Sequence, residues 1–189
     1  ALLDTFGFAD RDGDGWREQP DGSPLALVVS TEPEQIYRAH NELMQKCLNS
    51  IGIRVDFKTQ QWAENLKAVE AGKFMIWKLG WQASYDGLGA LSMYYGPQTG
   101  NQNLSRFKYD LFDRLYERML SMPDGPERAK LFHEAKRIGV AYMPVKVNTH
   151  RILADLVYPW VHGFRRPLFW TEWFHRVDVD VAARKAAMG

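Results

Sequence analysis

One stretch of this 189-residue chain decides its fold, residues 25–79: LALVVSTEPEQIYRAHNELMQKCLNSIGIRVDFKTQQWAENLKAVEAGKFMIWKL. Three short runs of apolar and β-branched residues within it predict strands, at 25–29, 53–57 and 74–79. The two stretches between them repeat apolar residues at helical spacing and predict helices, at 36–50 and 62–71. Strands that alternate with helices pack as an α/β layer with right-handed crossovers. The sequence therefore predicts an α/β fold.

The first predicted helix, 36–50, carries a signal at its start and an apolar stripe along its length. Thr31 and Glu34 stand three residues apart in front of it, which is the spacing of a capping box. The stripe predicts an inward face of four residues: Ile36, His40, Leu43 and Cys47. We therefore expect His40 and Cys47 to be buried.

Outside this stretch the chain predicts smaller elements. Residues 1–8 predict the end of a helix closed by Gly7, and because its beginning is missing we expect a segment of a longer protein. Two helices joined by the turn 123–126 predict an αα-hairpin. Its predicted buried residues are Phe112, Leu115, Met119 and Leu120 in the first helix, and Leu131, Ala135, Ile138 and Tyr142 in the second. Alternation predicts strands at 143–147 and 177–180.

Composition excludes several classes of function. Lys and Arg number 24 against 23 Asp and Glu, so the net charge of +1 provides no basic field for nucleic acid. No apolar run approaches the roughly 20 residues that span a bilayer. The single cysteine, Cys47, excludes a disulfide within the chain.

The sharpest local motif is Asp10-x-Asp12-x-Asp14, which copies the first half of an EF-hand calcium loop. Two positions depart from that loop. Arg17 stands where an apolar residue is expected, and Asp21 is too short for easy bidentate binding at the last position. A turn rich in proline and glycine follows in place of a helix. We therefore interpret the motif as a hairpin turn and predict no metal site.

No catalytic set is recognisable in the sequence. No two of the five histidines stand at the spacing of a zinc site, and glycine motifs for a nucleophile elbow, a phosphate or a dinucleotide are absent. A hydrolytic alternative would pair Cys47 with His40 or His133, and the predicted burial of Cys47 disfavours it. We therefore predict that the chain is not an enzyme and uses no cofactor.

Aromatic residues concentrate where the third predicted strand ends, in a segment rich in glycine and amides: Trp77, Trp81, Tyr85, Tyr94 and Tyr95. Ligands in open α/β sheets bind outside the carboxyl ends of the strands. Sites for small molecules and peptides are concave and lined by aromatic rings. The residues alone leave ligand binding and packing equally open for 81–86.

Several motifs in a fixed order carry a resemblance: ALLDTFGF at 1–8, DRDGDGWRE at 10–18, GIRVDFKTQQW at 52–62, AGKFMIWKLGWQASYDG at 71–87 and VYPWVHGF at 157–164. Together they resemble the solute-binding proteins of peptide-type ABC importers, extracytoplasmic family 5, which bind dipeptides and oligopeptides. The resemblance covers nearly all of the chain.

The resemblance implies a two-lobe periplasmic-binding-protein fold of type II, in which this chain is the C-terminal lobe, a mixed sheet flanked by helices. Residues 1–157 would form the ligand-binding lobe, and residues 158–189 a return segment that packs on an N-terminal lobe. It implies that a peptide or peptide-like solute is captured between the lobes in the periplasm. The protein would be a monomer that delivers this solute to an ABC permease in the membrane.

The resemblance also assigns four ligand-binding residues: Trp81, Ser84, Tyr85 and Asp86. Trp81 would pack on the ligand, and the other three would hydrogen-bond it. In the family, the position of Ser84 is an aspartate that pairs with the α-ammonium of the ligand, and a hydroxyl cannot neutralise that charge. Either Asp86 takes over this role, or the ligand is a blocked, modified or longer peptide or has no free amine. A sensor or a chaperone built on the same lobes stays open as an alternative.

Overall fold

The computed structural model describes residues 2–81, 86–150, 152, 154–166 and 174–189. The chain divides into two compact units: a first unit of residues 1–81 and 92–113, and a second unit of residues 82–91 and 114–189. Within the described ranges, every helix is too short or too polar to cross a membrane.

The first unit is built on a three-stranded parallel sheet. Strand β1 (Ala26–Thr31) is central and pairs along its whole length with β2 (Arg54–Thr59). It pairs on its other side with the two residues of β3 (Ile76–Trp77). The predicted α/β layer is confirmed. Because the strands are parallel, their carboxyl ends meet at one side of the sheet, called here the carboxyl edge.

Strand β3 is shorter than the predicted run 74–79. The thioether of Met75, just before β3, accepts the backbone N–H of Val28 at 3.3 Å. This sulfur takes a donor that a longer ladder between β1 and β3 would use, and the regular pairing therefore begins only at Ile76.

Helix α2 (Gln35–Asn49) lies close to its predicted bounds, but its inward face is not the predicted one. Its half-buried residues are Tyr37, Asn41, Met44 and Leu48. The predicted face is exposed instead: Ile36, His40, Leu43 and Cys47. The amide of Asn41 donates to the hydroxyl of Thr31 at 2.9 Å, which sets the rotation of the helix about one residue away from the longest apolar stripe.

The predicted capping box at the start of α2 is also wrong. Glu34 occupies the N-cap position and makes no side-chain capping hydrogen bond. Strand β1 continues as far as Thr31, whose hydroxyl accepts from Asn41 and does not cap the helix.

The other two helices of the first unit follow the sequence more closely. Helix α1 (Leu2–Thr5) is closed by Gly7, which has φ of 82°, and the N–H of Phe8 bonds to the carbonyl of Leu3 at 3.0 Å as in a Schellman motif. Helix α3 (Trp62–Glu70) buries two residues against the sheet: Asn65 and Val69.

Aromatic packing anchors the segment 92–109 of the first unit. Tyr94 lies 5.7 Å from Phe112 and 6.3 Å from Phe107, measured between ring centroids. Asn103 is fully buried and donates to the carbonyls of Tyr95 and Phe107 at 3.1 and 2.7 Å. Burial raises the pKa of Tyr94 above its ordinary value. Tyr94 therefore packs against the aromatic rings of its own unit.

Three helices follow along the chain: α4 (Gly87–Leu91), α5 (Asp110–Leu120) and α6 (Pro126–Tyr142). The predicted αα-hairpin is present, and its buried apolar residues include Phe112, Leu115, Met119, Leu131 and Ala135. Leu120 and Tyr142 were expected to be buried but are 58% and 57% exposed. Each is the last residue of its helix, where the chain leaves the body of the hairpin.

The predicted strand at 143–147 does not form. Met143 adopts a left-handed conformation with φ of 44° and ends α6, and Pro144 has no N–H to donate to a ladder. Further along, β4 (Val161–His162) pairs antiparallel with β5 (Asp178–Val179), which lies inside the predicted strand 177–180. Helix α7 (Val181–Met188) follows β5.

Candidate functional site

The carboxyl edge of the sheet in the first unit carries a group of buried and half-buried polar side chains, called here the edge cluster: Glu32, Asn41, Gln60 and Asn65. They gather around Thr31, the last residue of β1. The amide of Asn65 donates to the carbonyl of Thr31 at 3.0 Å, and the backbone N–H of Gln60 donates to the same carbonyl at 3.0 Å. Thr31, Glu32 and Asn65 are at most 4% exposed.

Glu32 connects three elements at this edge. Its Oε1 atom accepts from the amide of Asn65 on α3 at 3.0 Å and from the indole N–H of Trp77 on β3 at 2.9 Å. Glu32 itself directly follows β1. A hydrogen bond to a charged acceptor is stronger than a neutral one. Glu32 therefore holds the short strand β3 in place beside β1.

No sequence motif singles out Glu32 or Asn65. The available signal was a carboxylate placed directly after a buried strand, with an asparagine on the apolar face of the following helix beside Val69. Trp77, one of the aromatic residues near the end of the third predicted strand, is half-buried, and its indole N–H is bonded to Glu32.

Two side chains follow β3 on the way to the predicted ligand loop. Lys78 is half-buried, and burial lowers the pKa of its ammonium below the ordinary value. Trp81 is 41% exposed, so part of its indole is open to stack on another group. Its role as a ligand residue stays a prediction. Ser84 and Tyr85 lie outside the described residues.

Asp86, the fourth predicted ligand residue, belongs to the second unit and is engaged there. Its Oδ2 atom accepts from the guanidinium of Arg128 at 2.6 Å, and its Oδ1 atom accepts from the N–H of Leu88 at 3.1 Å. The hydrogen bond from Arg128 lowers the pKa of Asp86. Arg128 is 8% exposed and also donates to Asp124 at 2.5 Å. Because Arg128 balances its charge, Asp86 is a weaker candidate for pairing with a ligand cation.

The acidic turn near the start of the chain places Asp10, Asp12 and Glu18 close together, with carboxylate oxygens within 4.8 Å of one another. These oxygens bind the chain's own backbone. Asp10 accepts from the N–H of Gly13 at 2.7 Å and of Gly15 at 2.9 Å, and Glu18 accepts from that of Arg11 at 2.8 Å. Carboxylates used in this way stabilise a turn, in keeping with the interpretation as a hairpin.

The predicted burial of Cys47 is wrong, because Cys47 is exposed on α2. Burial therefore no longer argues against the hydrolytic alternative. His40, on the same helix, is exposed too. A catalytic cysteine needs a partner that lowers its pKa. Neither residue has a hydrogen bond or an ion pair to the other among the described contacts.

The relatives found by comparison with known proteins are binding proteins. The chain is 28% identical over 168 residues to Heme-binding protein A of Haemophilus influenzae, covering 84% of this chain and 31% of that protein. It is 26% identical over 167 residues to Di/tripeptide-binding protein 2 of Pseudomonas aeruginosa, with coverages of 84% and 31%. No protein-family model matches the chain.

A solved structure agrees with these relatives. The periplasmic oligopeptide-binding protein of an ABC transporter from Thermotoga maritima superposes with a TM-score of 0.69 at 18% identity, over 76% of this chain and 28% of that one. The predicted resemblance to the family 5 solute-binding proteins is confirmed. The small parallel sheet flanked by helices is the α/β architecture found in the lobes of these family 5 proteins. The chain spans about a third of the length of the curated family 5 relatives it matches.

Proposed function

We propose that this chain is the C-terminal lobe of a substrate-binding protein that serves an ABC importer in the periplasm. It captures a peptide or a peptide-like solute in the cleft between two lobes and delivers it to the membrane permease. The residues 1–157 form the ligand-binding lobe in this proposal, and 158–189 return to the other lobe. The protein acts as a monomer, without bond chemistry and without nucleic acid.

One observation carries the proposal: the relatives are binding proteins, and the carboxyl edge of this sheet holds the edge cluster, which is followed by an exposed tryptophan. Parallel α/β sheets bind ligands at that edge. Glu32 and Asn65 supply hydrogen-bonding groups there, and Trp81 supplies an aromatic surface. A few placed polar groups beside an aromatic ring are typical of sites for small molecules and peptides.

The relatives leave two solute classes to distinguish, since one is named for heme and another for di- and tripeptides. Native mass spectrometry of the intact protein that contains this chain would identify the solute that copurifies with it. We expect a peptide. A heme complex would show the absorption band of heme in the visible range and would redirect the solute assignment.

Titration calorimetry of the same intact protein with di-, tri- and oligopeptides tests capture directly. The 189-residue chain alone provides one wall of the cleft, so we expect it to bind the same peptides more weakly. Equal affinity of the chain alone would refute the two-lobe proposal. Recovery of hydrolysed peptide, lost on Cys47→Ala, would refute a function limited to binding.

Loss of peptide uptake in cells that lack the protein distinguishes transport from the alternatives of a sensor or a chaperone. We expect uptake of the copurified solute to fall, because delivery to a permease depends on the binding protein. Unchanged uptake with retained binding would favour a sensor.

A further inference from the structure

The edge cluster contains buried hydrogen-bond acceptors that have no partner among the described residues. Four of its buried oxygen atoms have no partner among the described residues: Oε2 of Glu32, Oδ1 of Asn41, Oε1 of Gln60 and Oδ1 of Asn65. Buried polar atoms in folded proteins are nearly always hydrogen-bonded, to protein, water or ligand. Four unpaired acceptors in one cluster therefore indicate that donors from beyond the described residues complete it.

The amide nitrogens of Asn65 and Asn41 are already engaged. The amide nitrogen of Asn65 donates to the carbonyl of Thr31 and to Oε1 of Glu32, each at 3.0 Å. The amide nitrogen of Asn41 donates to the hydroxyl of Thr31 at 2.9 Å. A rotation of either amide to serve a free oxygen would break one of these bonds.

Of the four oxygens, the free oxygen of Glu32 is the costliest to leave without a partner, because it belongs to a carboxylate. Glu32 is 4% exposed, and none of the ion pairs found among the described residues includes it. A buried carboxylate is stable only when it is paired and hydrogen-bonded. By contrast, the carboxylate of Asp86 in the second unit is balanced by Arg128 at 2.6 Å.

The four unpaired atoms are all acceptors, one of them a carboxylate oxygen, and they match a group that only donates and carries a positive charge. A primary ammonium has three donors and no acceptor, whereas a hydroxyl or an amide brings acceptors of its own. The free oxygen lies below the surface at the carboxyl edge, so the group that reaches it must be small and at the end of a chain.

We infer that Glu32, with the acceptors of Asn65 and Gln60, binds a primary ammonium group of the solute. This subsite rests on the proposed function and deepens it, because it assigns the solute a cationic end and names the carboxylate that receives it. The ammonium comes from the N-terminus of a peptide or from a lysine side chain, and the experiment separates these two sources.

The test is titration calorimetry of the intact protein with three peptides: trialanine, N-acetyl-trialanine and N-acetyl-Ala-Lys-Ala. We expect at least one ammonium peptide to bind about tenfold or more tightly than N-acetyl-trialanine, which corresponds to about 1.4 kcal/mol. Preference for trialanine identifies the N-terminus as the source, and preference for N-acetyl-Ala-Lys-Ala identifies the side chain.

The variant E32Q keeps the shape of the side chain and removes its charge, so we expect it to lose this preference while it still binds N-acetyl-trialanine. The matched control is E34Q, which removes the same charge from an exposed residue that makes no capping bond. It should retain the wild-type preference.

Peptide binding with a preference that E32Q leaves unchanged would overturn the subsite alone. Absence of any peptide binding by the wild-type protein would overturn the proposed function and the subsite with it. A crystal structure of the wild-type protein with the preferred peptide needs no variant, and must place the ammonium nitrogen within hydrogen-bond distance of Glu32 Oε2. An ordered water alone at that oxygen would refute the inference.

Discussion

Replacement of Trp77 by phenylalanine tests whether Glu32 holds strand β3 in place. The variant removes the indole N–H that donates to Glu32 Oε1 at 2.9 Å and keeps an aromatic ring in the half-buried position. The acceptor is a carboxylate that is 4% exposed, so water does not easily replace the lost donor. Hydrogen bonds to charged groups contribute about 1.5–3 kcal/mol, and we expect Trp77→Phe to lower the free energy of unfolding by about that amount.

The assay is urea unfolding followed by far-ultraviolet circular dichroism. Trp62→Phe is the matched control, because Trp62 is 51% exposed and the same ring contraction there removes no hydrogen bond described in the structure. We expect the control to change the free energy of unfolding by less than about 0.5 kcal/mol, as most surface substitutions do.

A double-mutant cycle of Trp77→Phe with Glu32→Gln isolates the pair. Because the two side chains are in contact, we expect a coupling energy of about 0.5–3 kcal/mol. Two results together would refute the role of Glu32 in holding β3: a coupling energy near zero, and a decrease in the free energy of unfolding for Trp77→Phe no larger than that for Trp62→Phe.

Three further predictions concern the same chain. Asn65→Leu should lower the free energy of unfolding by at least about 2 kcal/mol, because a fully buried amide that serves Thr31 and Glu32 is lost and buried acceptors cost about 1–3 kcal/mol each; a neutral result in urea unfolding would contradict the edge cluster. The hydrogen bond from Arg17 lowers the pKa of Asp4 from 3.8 to about 2, so the stability that this pair adds is complete above pH 3.8 and is lost as the pH falls through about 2. Asp4→Asn should flatten the pH dependence of thermal unfolding in that window, and an unchanged profile would show that the pair does not persist in solution. Cys47 should react with a thiol reagent in the native state almost as fast as in urea, and strong protection would restore the face of α2 that its apolar pattern predicts.

The order of strands and helices in residues 25–79 could be predicted, because backbone pairing and apolar periodicity are local properties of the sequence. The ends of β1 and β2 moved by one or two residues, and the parallel layer is as expected. The rotation of α2 could not be predicted in this way. Its sequence offers two apolar stripes that overlap, and a single polar contact from Asn41 to Thr31 favours the weaker one.

The candidate site was predicted less well than the fold. Trp81 was selected by its place after a strand, and it is exposed there. Asp86 was selected for its charge, but the buried Arg128, forty-two residues away in sequence, already neutralises it. Such a pair of distant residues leaves no local pattern, since neither spacing nor composition reports which acid meets which base.

The sequence by itself determined the α/β layer and the family resemblance carried by ordered motifs, and it predicted a ligand region at the end of the third strand. Only the tertiary structure decided which polar groups stand at that end. Glu32, Asn41, Gln60 and Asn65 belong to different elements, and the parallel sheet brings them together because all its carboxyl ends meet at one edge. Burial then makes their unpaired oxygens costly, and this cost is a property of the assembled edge and of no single segment.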